Sequence, residues 1–213
     1  TLKQDDIVMD VLEKFAKDVE CPLEVADQLI NSNIALHGNH QNENMGLALA
    51  IINDLDQFNI DEHHISNATK SIKWYGRYQI LSNAPKIIFD VGHNENGINA
   101  FLNTFSNEEV EGESHLLIAL QSRKNISNLS KKIATKFDHI LCSEIKVKNF
   151  MPAEDLYLNI NKPLNGTIIK DLNSQLLINY IQKLNPQDTL CIVGSHYFGE
   201  LISKIFNISF DNL

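Results

Sequence analysis

The spacing of hydrophobic residues changes period once along the chain. Over residues 5–20 (DDIVMDVLEKFAKDVE), Ile7, Val8, Val11, Leu12 and Phe15 recur at helical spacing, and Pro22 follows as a breaker. Residues 43–57 (ENMGLALAIINDLDQ) have a strongly apolar middle and predict a second helix. A third is predicted over 61–72, with Asp61 as the residue whose side chain accepts from the first-turn N–H groups. To about residue 75 no strand pattern is evident, so this part reads as helical and incomplete as a domain. Beyond it the pattern becomes short continuous apolar runs: RYQILS (77–82), KIIFDVG (86–92), HLLIAL (115–120), HILCSEI (139–145), TIIKD (167–171) and TLCIVG (189–194). Helical stretches alternate with them at 95–105, 126–136, after Pro152, at 174–184 and at 196–206. The first two runs are joined by Asn83-Ala84-Pro85, a hairpin-like turn. Apolar runs without alternation belong to strands covered on both faces. The expectation is an α/β fold: a doubly wound, mostly parallel Rossmann-like sheet over 76–213, with one antiparallel edge strand, preceded by a helical segment over 1–75.

Composition narrows the partners. With 43% hydrophobic residues the chain can build a core. Eighteen basic against 27 acidic residues, net −9, argue against non-specific nucleic-acid binding, which needs cationic surface. A small anion held by backbone amides and one or two cations stays compatible with that charge. Cys21, Cys142 and Cys191 are odd in number, with no CxxC pair, and are expected as buried free thiols of a reducing cytoplasm. Runs such as LALAII (47–52) are too short to cross a bilayer, and no signal peptide opens the chain. A monomer without membrane attachment is expected. Because the chain begins at Thr1 and not Met, an upstream segment is expected to belong with it.

A parallel sheet brings the carboxyl ends of its strands to one edge, where open α/β folds place their chemistry. The loops there carry Asp90, His93 and Asn94, then Gln121, Ser122, Arg123 and Lys124, and finally Gly194, Ser195 and His196. An acid, an imidazole, two cations and a hydroxyl suit a phosphate-bearing or amino-acid ligand. Blander readings compete: Asn94 or Ser195 as helix caps, Arg123 and Lys124 as solvated loop. A metal site from His37 and His40 with His63 or His64 is a weaker option. So is a Ser195–His93–Asp90 triad, which lacks the G-x-S-x-G turn. Asp90 and His93 are expected on an open rim, where substitution disturbs stability little.

Four segments add a resemblance. Gly38–His40–Gln41–Asn44, Trp74–Gly76–Arg77–Gln79, Asp90–Gly92–His93–Asn94 and Gly194–Ser195 stand in the order and spacing of motifs from the folylpolyglutamate synthase and dihydrofolate synthase family. That family is related to the Mur peptidoglycan ligases. The resemblance implies that residues 1–75 end a central ATPase domain and 76–213 form a glutamate-ligase domain. It implies ATP and Mg2+ as cofactors, and folate or dihydropteroate and L-glutamate as substrates. Gln41 and Asn44 would face the nucleotide base, Arg77 and Asp90 its phosphates and ribose, and His93 the reacting phosphate. Ser195 and His93 would serve the incoming glutamate. No protein metal ligand is assigned, since the family's magnesium-binding residues lie upstream of the matching motifs. The departures are Val91-Gly92 where the family usually has Gly-Ala, Glu95 and Asn96 where Pro and His are common, and the absence of any GxxxxGK[ST]. The chain alone is therefore expected not to turn over. A non-catalytic Rossmann-like binding module, or a Mur-type ligase with another acceptor, remains the alternative.

Overall fold

The computed structural model describes residues 1–26, 34–55, 57–146 and 149–209, and the chain divides into two units, Thr1–Lys73 and Trp74–Leu213. The first unit contains α1 (Asp6–Asp18), α2 (Asn39–Asn53) and α3 (Glu62–Ser71), with no strand among its described residues. Helix α1 has the predicted apolar stripe but buries none of it, leaving Ile7, Val11 and Phe15 exposed. Helix α2 starts four residues earlier than the spacing predicts. Gly38, at φ 102°, turns the chain into it, so the polar GNHQNEN stretch becomes its first turns. Its predicted end extends over residue 56, which lies outside the described residues. Helix α3 is capped as expected: Asp61 Oδ1 accepts from His64 N (2.9 Å), and Asp61 N donates to His64 Nδ1 (3.3 Å). That backbone hydrogen bond holds the Asp61 carboxyl below its usual pKa.

The second unit is a six-stranded sheet of β1 (Gln79–Asn83), β2 (Lys86–Asp90), β3 (Ser114–Ile118), β4 (His139–Ser143), β5 (Gly166–Ile169) and β6 (Thr189–Val193). Their order is β1-β2-β6-β3-β4-β5. Only the β1–β2 pair is antiparallel, and its register slips between Ile80 and Ser82. The mostly parallel sheet with one antiparallel edge strand is the architecture the sequence predicts. Among the described residues five α-helices complete the unit: α4 (Glu95–Phe105), α5 (Ser130–Lys136), α6 (Ala153–Asn159), α7 (Ser174–Ile181) and α8 (Phe198–Phe206). The helix predicted at 126–136 arrives in two pieces, a tight 3₁₀ turn over Ser127–Leu129 and then α5. Helix α8 begins two residues later than predicted, because residues 194–197 form a turn first.

Successive strand residues point to opposite faces, and β2 displays both. Ile88 joins a core with Ile98, Phe101 and Leu102 of α4, Ile133 of α5 and Leu156 of α6. Ile87 and Phe89 join another with Leu177 of α7 and Phe198 and Ile202 of α8. Helices α4–α6 therefore cover one face of the sheet, and α7 and α8 cover the other. Phe105 is fully buried, with its ring centroid 6.0 Å from that of Phe101 and 5.0 Å from that of Phe137. Cys142 and Cys191 are buried in these strands; burial pushes the Cys142 thiol up to about 12 and Cys191 well above its ordinary value. Cys21 departs from the expectation of three buried thiols. It is exposed, because it lies in the segment after α1 and in no packed element.

Phe105→Ala removes the middle of that aromatic stack, and is expected to cost about 3–5 kcal/mol of stability in urea unfolding. A loss below about 1 kcal/mol would show that the ring does not anchor α4.

Candidate functional site

Strand β2 leads into α4 on one face of the sheet, and its neighbour β6 leads into α8 on the other. The two strands are parallel, with Asp90 opposite Val193 at their carboxyl ends. Their outgoing loops must therefore part there, opening the crevice in which doubly wound sheets bind ligands.

The Asp90 carboxylate organises this point. It accepts from Tyr78 N through Oδ2 (2.9 Å) and from Gly92 N through Oδ1 (2.7 Å). One bond fixes the turn out of β2, and the other ties in the segment preceding β1. Gly76 helps fold that segment back: its carbonyl accepts from Val91 N (2.8 Å), and its N–H donates to Gln79 Oε1 (2.9 Å). At φ 70°, with the position of a Cβ 2.6 Å from Val91 Cγ1, residue 76 has room only for glycine. Gly194 N donates to the Asp90 carbonyl (3.3 Å), and at φ 116° a Cβ there would lie 2.3 Å from Ala119 O. Asp90 is only 8% exposed, so the sequence expectation of a carboxylate on an open rim does not hold for it. The Tyr78 and Gly92 N–H groups that hold it belong to the backbone, which residue patterns do not announce.

Around this buried acid stand three nitrogen-bearing side chains. His93 Nδ1 lies 3.1 Å from Val91 O; a proton donated there leaves the Nε2 lone pair free. The His93 and His196 rings are 5.9 Å apart. The Arg77 guanidinium lies over the Trp74 ring at 5.8 Å. Partial shielding from water lowers the His196 pKa below 6.5, Arg77 and His93 lower it further, and Asp90 pulls the other way. Arg77, Asp90, His93 and His196 thus share one electrostatic environment.

The remaining sequence candidates divide. Asn94 is a cap, its Oδ1 accepting from Gly97 N (2.8 Å) at the start of α4. Ser195 is buried; its Oγ accepts from Tyr197 N (3.2 Å), one turn before α8. Gln121 bridges to Phe150, and Ser122 donates to Asn149 O from both N and Oγ (2.9 and 3.0 Å). Arg123 is exposed, and among the described residues neither it nor Lys124 enters an ion pair. In the first unit, Gln41 and Asn44 meet on one side of α2, with Asn44 Nδ2 donating to Gln41 Oε1 (3.2 Å). His37, His40, His63 and His64 do not assemble a metal-capable trio among the described residues.

Residues 76–196 match the family described as Mur ligase, glutamate ligase domain. The chain is 25% identical over 175 residues to a dihydrofolate synthase/folylpolyglutamate synthase of Bacillus subtilis (strain 168), covering 80% of this chain and 40% of that protein. Its fold superposes on a Mycobacterium tuberculosis folylpolyglutamate synthase complexed with ADP. The TM-score is 0.83 at 17% identity, over 97% of this chain and 54% of the other. A bifunctional folylpolyglutamate synthase/dihydrofolate synthase solved with Mn, AMPPNP and L-glutamate gives a TM-score of 0.72 at 16% identity, over 90% and 50%. The chain thus spans at most about half the length of these relatives. It belongs to the Mur ligase, glutamate ligase domain family. Within that family it is similar to the C-terminal portion of folylpolyglutamate and dihydrofolate synthases.

Asp90→Ala leaves two sequestered N–H groups unpaired and is expected to cost about 2 kcal/mol or more in urea unfolding, with Asp90→Asn recovering part of it. Equal stability for all three proteins would remove the organising role. For His196, an NMR titration should give a midpoint below 6.5, raised by Arg77→Ala because a neighbouring cation is lost. On the same ground the unfolded chain takes up the proton first as pH falls through 6.5, so the contribution of this residue to stability declines on the acidic side. A His196 midpoint unmoved by Arg77→Ala would separate the two side chains.

Proposed function

We propose that the chain is the carboxyl-terminal part of a cytoplasmic, monomeric, ATP-dependent ligase that adds L-glutamate to folate or dihydropteroate. ATP would phosphorylate the acceptor carboxylate; the glutamate amine would then attack the acyl carbon, forming the C–N bond as phosphate leaves. The observation that carries this reading is the gathering of Arg77, His93 and His196 around the carboxyl end of β2, within the residues matched by the glutamate ligase family. Relatives solved with ADP, or with AMPPNP and L-glutamate, support the substrate classes.

The roles follow from chemistry. Phosphoryl transfer is chiefly a matter of positioning and charge, and the permanent charge and rigid fork of Arg77 suit a phosphate. His93, with its Nε2 lone pair free, can take the proton that the glutamate ammonium must lose before it attacks. Asp90, whose carboxylate accepts from Tyr78 N and Gly92 N, is assigned to the nucleotide's phosphates and ribose, a carboxylate being an acceptor suited to ribose hydroxyls. Ser195 is assigned to the glutamate side, and Gln41 with Asn44 to the nucleotide base.

Mg2+ is assigned with ATP to the full-length enzyme, where it would be held by ATP phosphates, waters and one or two carboxylates and would neutralise charge on the transferring phosphoryl group. Among the described residues no trio of acids and histidines gathers at this edge. The sequence also holds no P-loop. Losing three charge-assisted hydrogen bonds to phosphate would weaken ATP binding by on the order of a thousandfold or more. Turnover therefore requires a phosphate cradle from outside residues 1–213, and the chain by itself would act as a binding module.

Kinetics of glutamate addition should be measured on an enzyme in which this chain is joined to a P-loop domain. His93→Ala and Arg77→Ala are each expected to lower kcat/KM at least about 100-fold, or 2.7 kcal/mol of transition-state stabilisation, with little change in Tm. An active but unstable His93→Ala protein would sink the assignment.

A further inference from the structure

At the opposite, amino edge of the sheet, β3 carries a histidine at its second residue, His115, and β4 begins with one, His139. The parallel register places His115 directly beside His139, and their rings stack at 4.5 Å. Glu113 precedes β3, and its Oε2 lies 3.1 Å from His139 Nε2. One ligand atom from each of these three residues lies within 4.8 Å of the others, the only such trio among the described residues. They line a cleft of about 420 Å³ closed by Tyr180 of α7 and by Lys183, Asn185 and Asp188.

His115 is the decisive member. It is 95% buried, its Nδ1 is 2.8 Å from the Tyr180 hydroxyl, and its buried Nε2 has no hydrogen-bond partner. When Nδ1–H donates to Tyr180, Nε2 is left with a lone pair and nothing to accept. An orphaned acceptor in a sheet interior carries a desolvation cost that a ligand would relieve. An imidazole oriented through its other nitrogen is also the usual arrangement of a metal-bound histidine.

We propose that Glu113, His115 and His139 form a binding site for a divalent transition-metal ion of the zinc class. Two imidazoles and a carboxylate suit zinc better than magnesium, which prefers oxygen ligands and its own waters. Two ligands about 2.0–2.1 Å from one tetrahedral ion stand about 3.3 Å apart, so ligand atoms within 4.8 Å of one another must close by up to about 1.5 Å. Glu113 and His139 can supply this, since both side chains reach solvent. Three protein ligands leave the fourth position to water or to a group entering the cleft. The ion would tie the starts of β3 and β4 together, on the far side of the sheet from Asp90, so the proposal does not depend on the ligase reading.

The test is calorimetry of Zn2+ binding to the full 213-residue chain after chelator treatment, with Co2+ broadening of histidine NMR signals as a second readout. One saturable site is expected, with the His115 and His139 ring signals broadened first. Glu113→Gln and His139→Ala, at exposed positions that should fold normally, are each expected to weaken affinity at least about tenfold. His115→Ala should abolish the site, with circular dichroism reporting on its fold. No saturable uptake, or affinity unchanged in both exposed-site variants, overturns the proposal; the latter would assign binding to other histidines.

Discussion

A carboxylate buried where a parallel strand ends must find donors, and the donors it finds decide what else can be built there. Asp90 recruits one N–H from the turn it starts and one from Tyr78, twelve residues earlier. The segment before β1 is thereby held against the end of β2. Gly194, donating to the Asp90 carbonyl, brings in the loop after β6. Three stretches remote in sequence thus meet around one acid, and the functional groups at the crevice stand on that framework. Arg77 flanks the donor Tyr78, His93 follows the donor Gly92, and His196 follows Gly194. Chemistry at this edge is inseparable from local stability, because the group that sets the geometry is itself part of the candidate site.

The α/β architecture was legible because strands covered on both faces leave continuous apolar runs, and each of the six runs became a strand. Helix α4 was legible to the residue: Asn94 offers a capping oxygen, and Ile98, Phe101, Leu102 and Phe105 mark one face. Helix α2 was legible only in part. Its polar first turns carry no apolar periodicity, and its start is set by the backbone of Gly38. Residues 126–136 were read as one helix, since a 3₁₀ turn shares the composition of the helix it precedes.

The site was legible as a set of residue types and illegible as an environment. Motif order marked Arg77, Asp90 and His93, but the burial of Asp90 depends on backbone partners that no pattern records. The histidines opening HLLIAL and HILCSEI were visible as strand starts, yet their meaning depends on register. Two histidines twenty-four positions apart become neighbours only when β3 and β4 pair in parallel with those positions aligned. The orphaned nitrogen of His115 depends further on Tyr180 arriving from α7.

The slip in register within β1 bears on how the sheet ends. A regular edge strand offers evenly spaced donors and acceptors on which another chain can lay a strand of its own. Between Ile80 and Ser82 that spacing is broken, so an incoming strand would match the edge on one side of the irregularity and lose step on the other. The far edge, β5, is only four residues long and offers little template. A sheet of six strands is thus discouraged from acquiring a seventh, and the irregularity guards the fold against fibrous growth.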